Sequence, residues 1–211
     1  PGGLTLDKLA QGDHGLYHGV ILTTGNLAYF DGTVWASGLS PSEWALLWDY
    51  EARFGVRQVT WYTFPNADYG FGAVTAIDTG ISPISANFAA AGLSVFPYMS
   101  GHPIPIQKAY AYVAPPLDGN TTPLLTDGAG NALAAVRTYS NGRQNLALTF
   151  DSSPFLAHTV GLGYGVIRWL NRGLFLGEWR VYIGVQVDDV FLNNDMWGGG
   201  TFRITGADLT K

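Results

Sequence analysis

The chain has 211 residues and a formal net charge of −5, with only 11 Lys and Arg, no Cys and nearly half its residues apolar. That is length and apolar content enough for one ordinary domain, or for one domain and a piece of another, with a real core. So little basic charge argues against a nucleic-acid footprint, and the missing cysteines remove disulfides, thiolate ligands and a cysteine nucleophile.

In chain order, the first signal is the apolar run Gly19-Val-Ile-Leu, which reads as a core strand feeding a loop through Phe30 and Trp35. A helix follows. Ser40 is placed to cap it, Pro41 suits its first position and Glu43 completes a capping box, while Leu46, Leu47, Tyr50 and Phe54 recur at helical spacing before Gly55. Val56 to Tyr62 is the next strand, so strand, helix and strand make a right-handed βαβ unit. From Ala67 to Tyr112 the pattern loosens, with strands expected at Val74–Ile77, Leu93–Tyr98 and Ala109–Val113, and Ile84–Ala91 open between helix and strand.

Beyond Pro115-Pro116 a meander is expected. Leu124-Leu125, Ala134–Tyr139 and Asn145–Phe150 are separated by glycine-containing turns, and Asn141-Gly142 favours a type I′ hairpin. A second helix should start with Ser152 or Ser153 as cap and Pro154 in its first turn, carry Leu156, Val160, Ile167 and Leu170 as its stripe, and end before Gly173. The apolar stretch Phe155–Leu176 contains Arg168 and Arg172, so no run approaches the roughly 20 apolar residues of a membrane span.

The last strong pattern is Arg180-Val-Tyr-Ile-Gly-Val-Gln-Val-Asp-Asp, a β-branched strand that stops on Asp188 and Asp189. Two readings stand. Neighbouring strand residues face opposite sides, so one carboxylate could bind a metal while the other serves as a base in hydrolysis. Adjacent acids also commonly form a turn or cap a helix. Asn194, Asp195 and Trp197 follow on the same loop as candidate substrate contacts.

Other constellations carry less. His14, His18, His102 and His158 lack metal-binding spacing, the Gly161–Gly165 cluster falls inside a helix rather than in a phosphate loop, and no Gly-x-Ser-x-Gly elbow occurs. Tyr29, Phe30, Trp35, Trp61, Tyr62, Tyr69 and Phe71 lie near the ends of the early strands. Most should pack in the core, and an exposed subset would favour glycan contact.

Val185-Gln-Val-Asp-Asp-Val-Phe-Leu-Asn-Asn-Asp-Met-Trp, with Pro123–Tyr139, Leu146–Asp151 and Tyr164–Gly173 upstream, resembles secreted polysaccharide deacetylases related to the NodB-homology enzymes, in particular the galactosaminogalactan deacetylase group. The resemblance implies that Asp188 is the catalytic base and that Asp189 binds a divalent metal, typically zinc, together with histidines from a later motif. The upstream module resembles a glutamine-amidotransferase-like fold, whose chemistry needs the cysteine this chain lacks. The fold expected is therefore α/β: a doubly wound, mainly parallel, flavodoxin-like sheet with an added antiparallel β-meander over residues 1–179, then over 180–211 the truncated first strand of a (β/α) barrel.

The function expected is that of the N-terminal part of a secreted, metal-dependent polysaccharide deacetylase, inactive as this piece and not stably metal-bound. Its partners would be a polysaccharide and the rest of its own catalytic domain, without nucleic acid or membrane insertion. The alternative is a non-catalytic carbohydrate-binding or scaffolding module.

Overall fold

The computed structural model describes residues 3–99, 101–174 and 192–210. By internal contact the chain divides into two units, Pro1–Phe175 and Leu176–Lys211. The strand expected across residues 181–187 and the Asp188-Asp189 pair lie outside the described residues.

The larger unit is built on a seven-stranded mixed sheet. Its spatial order is Gly19–Leu22, Arg57–Thr60, Gln144–Leu148, Ala132–Thr138, Thr121–Thr126, Ile84–Phe88 and Ile104–Ile106. Helix α1, Pro41–Phe54, connects the first two strands, and these run parallel with Val20 opposite Gln58. The expected βαβ unit is thus present. Parallel pairing extends one strand further, Val59 standing opposite Leu146, after which every neighbour is antiparallel. The fold is α/β with the antiparallel meander expected, and its parallel share is confined to three strands because hairpin-length links join the meander. The Gly19–Leu22 strand sits at the sheet edge rather than inside it.

Both faces of the sheet are covered, as strand alternation requires. Val20 and Leu22 join Leu47, Tyr50 and Val56 beneath α1. On the other face Val59, Leu146 and Leu148 pack with Leu162, Val166 and Leu170 of α3, Ala157–Leu170. Gly19 faces Leu170 so closely that any side chain there would displace it. A third cluster of Tyr69, Phe71, Ala114, Ala132, Ala135 and Ala147 fills the space beyond α1, where alanines let the 61–72 segment approach the sheet.

Helix α1 obeys its sequence signals. Ser40 Oγ accepts from Glu43 N, the Glu43 carboxylate accepts from Ser40 N at 2.8 Å, and Gly55 takes the left-handed conformation at φ 63°.

Two local expectations are corrected here and an open one is settled. Residues expected as a strand over Leu93–Tyr98 instead form helix α2, Ala90–Val95, and a 3-10 turn at Pro97–Met99. Gly92 meets the Leu124 carbonyl directly, an approach that only glycine allows, so α2 lies on the sheet rather than extending it. The open Ile84–Ala91 segment resolves as the strand Ile84–Phe88. The Asn141-Gly142 turn is not type I′: Gly142 alone has positive φ, at 84°, and Gly142 N donates to Tyr139 O while Tyr139 N donates to Arg143 O. That is a three-residue loop with glycine in the left-handed position.

Helix α3 begins at Ala157, later than the serines placed it, with no side-chain cap at Leu156. Its buried stripe is accordingly His158, Leu162, Gly165, Val166 and Leu170, and Val160 is exposed. Gly165 in that stripe lies against Phe96, the close packing expected of the glycine cluster, whereas Gly163 faces open space.

In the smaller unit the described residues form a short hairpin, Asn194–Asp195 with Thr201–Phe202. Among the described residues no helix is long and apolar enough to cross a membrane.

Candidate functional site: an uncharged aromatic cleft

The two parallel strands at the sheet edge end side by side and lead into two loops. Trp61 N donates to Leu22 O and Gly25 N donates to Tyr62 O, both at 2.8 Å, so the loops 23–27 and 61–66 leave the sheet as a pair. In parallel α/β sheets the carboxyl ends of the strands are where ligands bind. Here these loops wall a cleft of about 590 Å³, lined by Thr24, Asn26, Trp35, Tyr62, Phe64 and Tyr112, with Asn66 and the Tyr69 hydroxyl deeper in. The volume lies within the usual range of small-ligand sites. Two smaller cavities, about 210 and 360 Å³, are lined by Val56 and Arg57, where the second strand begins rather than ends.

Aromatic rings make the cleft. Tyr112 comes from the strand Tyr110–Val113, held by Tyr112 N to Thr149 O at 2.8 Å. Its ring stacks on Tyr62 at 6.2 Å between centroids and meets Phe64 and Tyr110 edge-on at 5.1 and 5.4 Å. Trp35 stands on the hairpin Ala28–Phe30 with Trp35–Ser37, packed on Phe30 at 5.8 Å, and is 73% exposed. Phe64 is 59% exposed. Large rings left this open, within one cleft, are a surface for a flat apolar face.

Among the described residues no Asp, Glu, Lys, Arg or His is in the cleft lining, and the Asp151 carboxylate bears on Tyr62 from outside that lining. Burial, with Tyr112 alongside, pushes the Tyr62 phenol above its ordinary range, and burial likewise raises Tyr69, so both stay neutral at working pH. A lining of neutral rings, amides and hydroxyls suits an uncharged ligand with a flat apolar face.

Two asparagines supply the amide groups, beside the threonine and tyrosine hydroxyls. Asn66 caps the 3-10 turn Ala67–Tyr69, its Oδ1 accepting from Asp68 N at 2.9 Å and Tyr69 N at 3.3 Å. Asn26 N donates to the Tyr69 hydroxyl at 2.9 Å, and that hydroxyl donates to Asn26 Oδ1 at 3.1 Å.

Of the aromatics picked out in the sequence, Tyr29, Phe30 and Trp35 are exposed, Tyr62 lines the cleft, and Trp61 is half-buried with Nε1 donating to Ser152 Oγ at 2.6 Å. Tyr69 and Phe71 are buried, Tyr69 with its hydroxyl under the cleft floor. Sequence reasoning missed Phe64, Tyr112, Asn26 and Asn66. The spacing of Tyr110 and Tyr112, two apart on a strand and hence on one face, was the available signal. Asp188 and Asp189 lie outside the described residues. Asn194 and Asp195 are exposed on their hairpin, and Trp197 at its turn is fully exposed. Among the described residues no three His, Asp or Glu side chains gather as metal ligands. His158, fully buried, packs edge-on against Phe150 at 5.3 Å and holds Asp151 O through Nε2 at 3.0 Å, a structural role.

Residues 1–169 match the family model described as Agd3 CBM87. The fold is similar to a solved structure described as "Crystal structure of Agd3 a novel carbohydrate deacetylase", with 25% sequence identity and a TM-score of 0.77. That match covers 99% of this chain and 33% of the other, so the chain spans about a third of the length of that protein. No curated protein matches the chain.

Proposed function

Since this chain belongs to the Agd3 CBM87 family, we propose that it is a polysaccharide-binding module whose aromatic cleft receives the rings of a sugar chain. The observation that carries this reading is the grouping of Trp35, Tyr62, Phe64 and Tyr112 around one cleft without an ionised side chain. A pyranose presents an apolar face of C–H groups and a polar edge of oxygens. Flat rings serve the first and amide and hydroxyl groups the second.

The test is calorimetric titration of the protein with chitohexaose, its fully deacetylated counterpart, cellohexaose and a uronate hexamer. At least one uncharged hexamer should bind, and Trp35→Ala should weaken it about tenfold, ~1.4 kcal/mol, the upper end of what one aromatic contact contributes. Affinity unchanged in Trp35→Ala would remove the cleft from the function, and no binding of any hexamer would remove the function itself.

We further propose that the module serves a secreted polysaccharide deacetylase. The likeness to about a third of a carbohydrate deacetylase supports this, as does the motif around Asp188 and Asp189. Asp189 would hold the divalent metal, zinc in the related enzymes, which supplies a Lewis acid for the acetamide carbonyl and for water. Asp188 would take the proton from that water. Acetate release by the full-length parent from an N-acetylhexosamine polymer should be abolished by Asp188→Asn or Asp189→Asn; full activity in either variant would sink the assignment.

A further inference from the structure

The turn Gly25–Leu27 spends its interactions on orienting one amide. Asn26 and Leu27 both have positive φ, 56° and 46°, a conformation that costs a non-glycine residue about 1 kcal/mol or more and persists only where the surroundings enforce it. The enforcement is visible. Asn26 N donates to Tyr69 Oη at 2.9 Å, Asn26 O accepts from Ser37 Oγ at 2.9 Å, and Leu27 is closed into the turn through Thr24 O and Gly38 N, each at 3.1 Å. The Tyr69 hydroxyl then donates to Asn26 Oδ1 at 3.1 Å.

Every polar atom of Asn26 is thereby committed except Nδ2, which has no partner among the described residues, on a side chain that lines the cleft. Asn66 repeats the arrangement, its Oδ1 held by two backbone N–H groups and its Nδ2 left over in the same cleft. Tyr69 is 5% exposed and does not itself offer a free donor to a ligand.

We propose that Asn26 is the specificity-determining residue of the cleft, donating from Nδ2 to an acceptor oxygen of an uncharged sugar, and that Tyr69 is its positioning residue. The proposal rests on the cleft being a glycan site. With the amide oxygen held by Tyr69, the two asparagines present N–H donors beside the hydroxyls of Thr24, Tyr62 and Tyr112, and no carboxylate is in the lining, Asp151 acting on Tyr62 from outside it. An acyl, hydroxyl or ring oxygen is matched by these amide donors, whereas a protonated amine placed at Asn26 sets donor against donor with no counter-charge within the lining. The cleft therefore selects a neutral or N-acylated ring over the free-amine form.

Asn26→Asp tests this with little change of shape. Aspartate tolerates the left-handed conformation and still accepts from Tyr69 Oη, but it replaces the Nδ2 donor with a charged acceptor. Titrated with chitohexaose and with its fully deacetylated counterpart, the wild type should favour the acetylated hexamer. Asn26→Asp should lose about tenfold for it and gain for the deacetylated one, reversing the preference. Tyr69→Phe should weaken chitohexaose binding severalfold and narrow the preference between the two. Trp35→Ala should weaken both hexamers in parallel, leaving the ratio unmoved.

If Trp35→Ala loses binding while Asn26→Asp keeps the wild-type ratio, the assignment of Asn26 is overturned and the cleft stands. If Trp35→Ala binds as the wild type does, the cleft reading falls and takes this one with it. Should Tyr69→Phe fail to fold, Asn26→Asp alone decides.

Discussion

Glu51 lies on the inner side of α1 with no exposed surface. Arg143 Nη1 approaches its carboxylate to 3.6 Å, and the guanidinium is stacked over the rings of Trp48 at 4.8 Å and Tyr139 at 3.4 Å. Burial pushes the Glu51 carboxyl up to about 8, with Arg143 opposing. A folded-state pKa raised above the unfolded value means that the folded chain binds the extra proton between pH ~4.5 and ~8, so stability falls as pH rises through that window. The melting temperature should therefore drop between about pH 5 and pH 8, and Glu51→Gln, which stays neutral, should flatten the slope and be the more stable protein at pH 8. Identical slopes in the two proteins would contradict this. Nothing in the apolar spacing of α1 marks Glu51, because its burial depends on Arg143, some ninety positions away. Asn26 is illegible for the same reason: Tyr69 and Ser37 orient it, and neither is its sequence neighbour.

At the scale of elements, those whose signals are local were legible. The capping box Ser40–Glu43, Pro41 and Gly55 bound α1 at the residues read from the sequence, since caps are satisfied within one turn. Ser40→Ala should cost about 1 kcal/mol in urea unfolding, with the slope unchanged, through loss of the bond to Glu43 N. An unchanged midpoint would assign the helix boundary to Pro41 and packing instead. Helix α3 lacks such a cap, and its start follows the turn at Ser153–Leu156, where Leu156 N donates to Ser153 O at 3.0 Å. Its buried face is chosen by Phe96, which reaches Gly165, so the stripe rotates away from Val160. Helix α2 was the clearest misreading. Val95, Phe96 and Tyr98 suit a strand, yet Ala90–Val95 is helical and Gly92 seats it directly on the Leu124 carbonyl.

For the whole molecule, the net charge of −5 and the uncharged cleft are separate facts. Several acidic groups are committed elsewhere: Asp13 pairs with Arg53, Asp118 with Arg137, and Asp31 and Asp127 close their own turns. The α/β class, the βαβ unit, the meander and the clustering of aromatics near the early strand ends were determined by the sequence alone. They follow from alternation, helical spacing and turn chemistry, which act over a few residues. Which aromatics face one cleft, which asparagine is clamped and which glutamate is buried were decided only by the tertiary structure. Those choices join residues 26, 35, 66 and 112, brought together because two parallel strands end side by side and Tyr112 is tied to Thr149 across them.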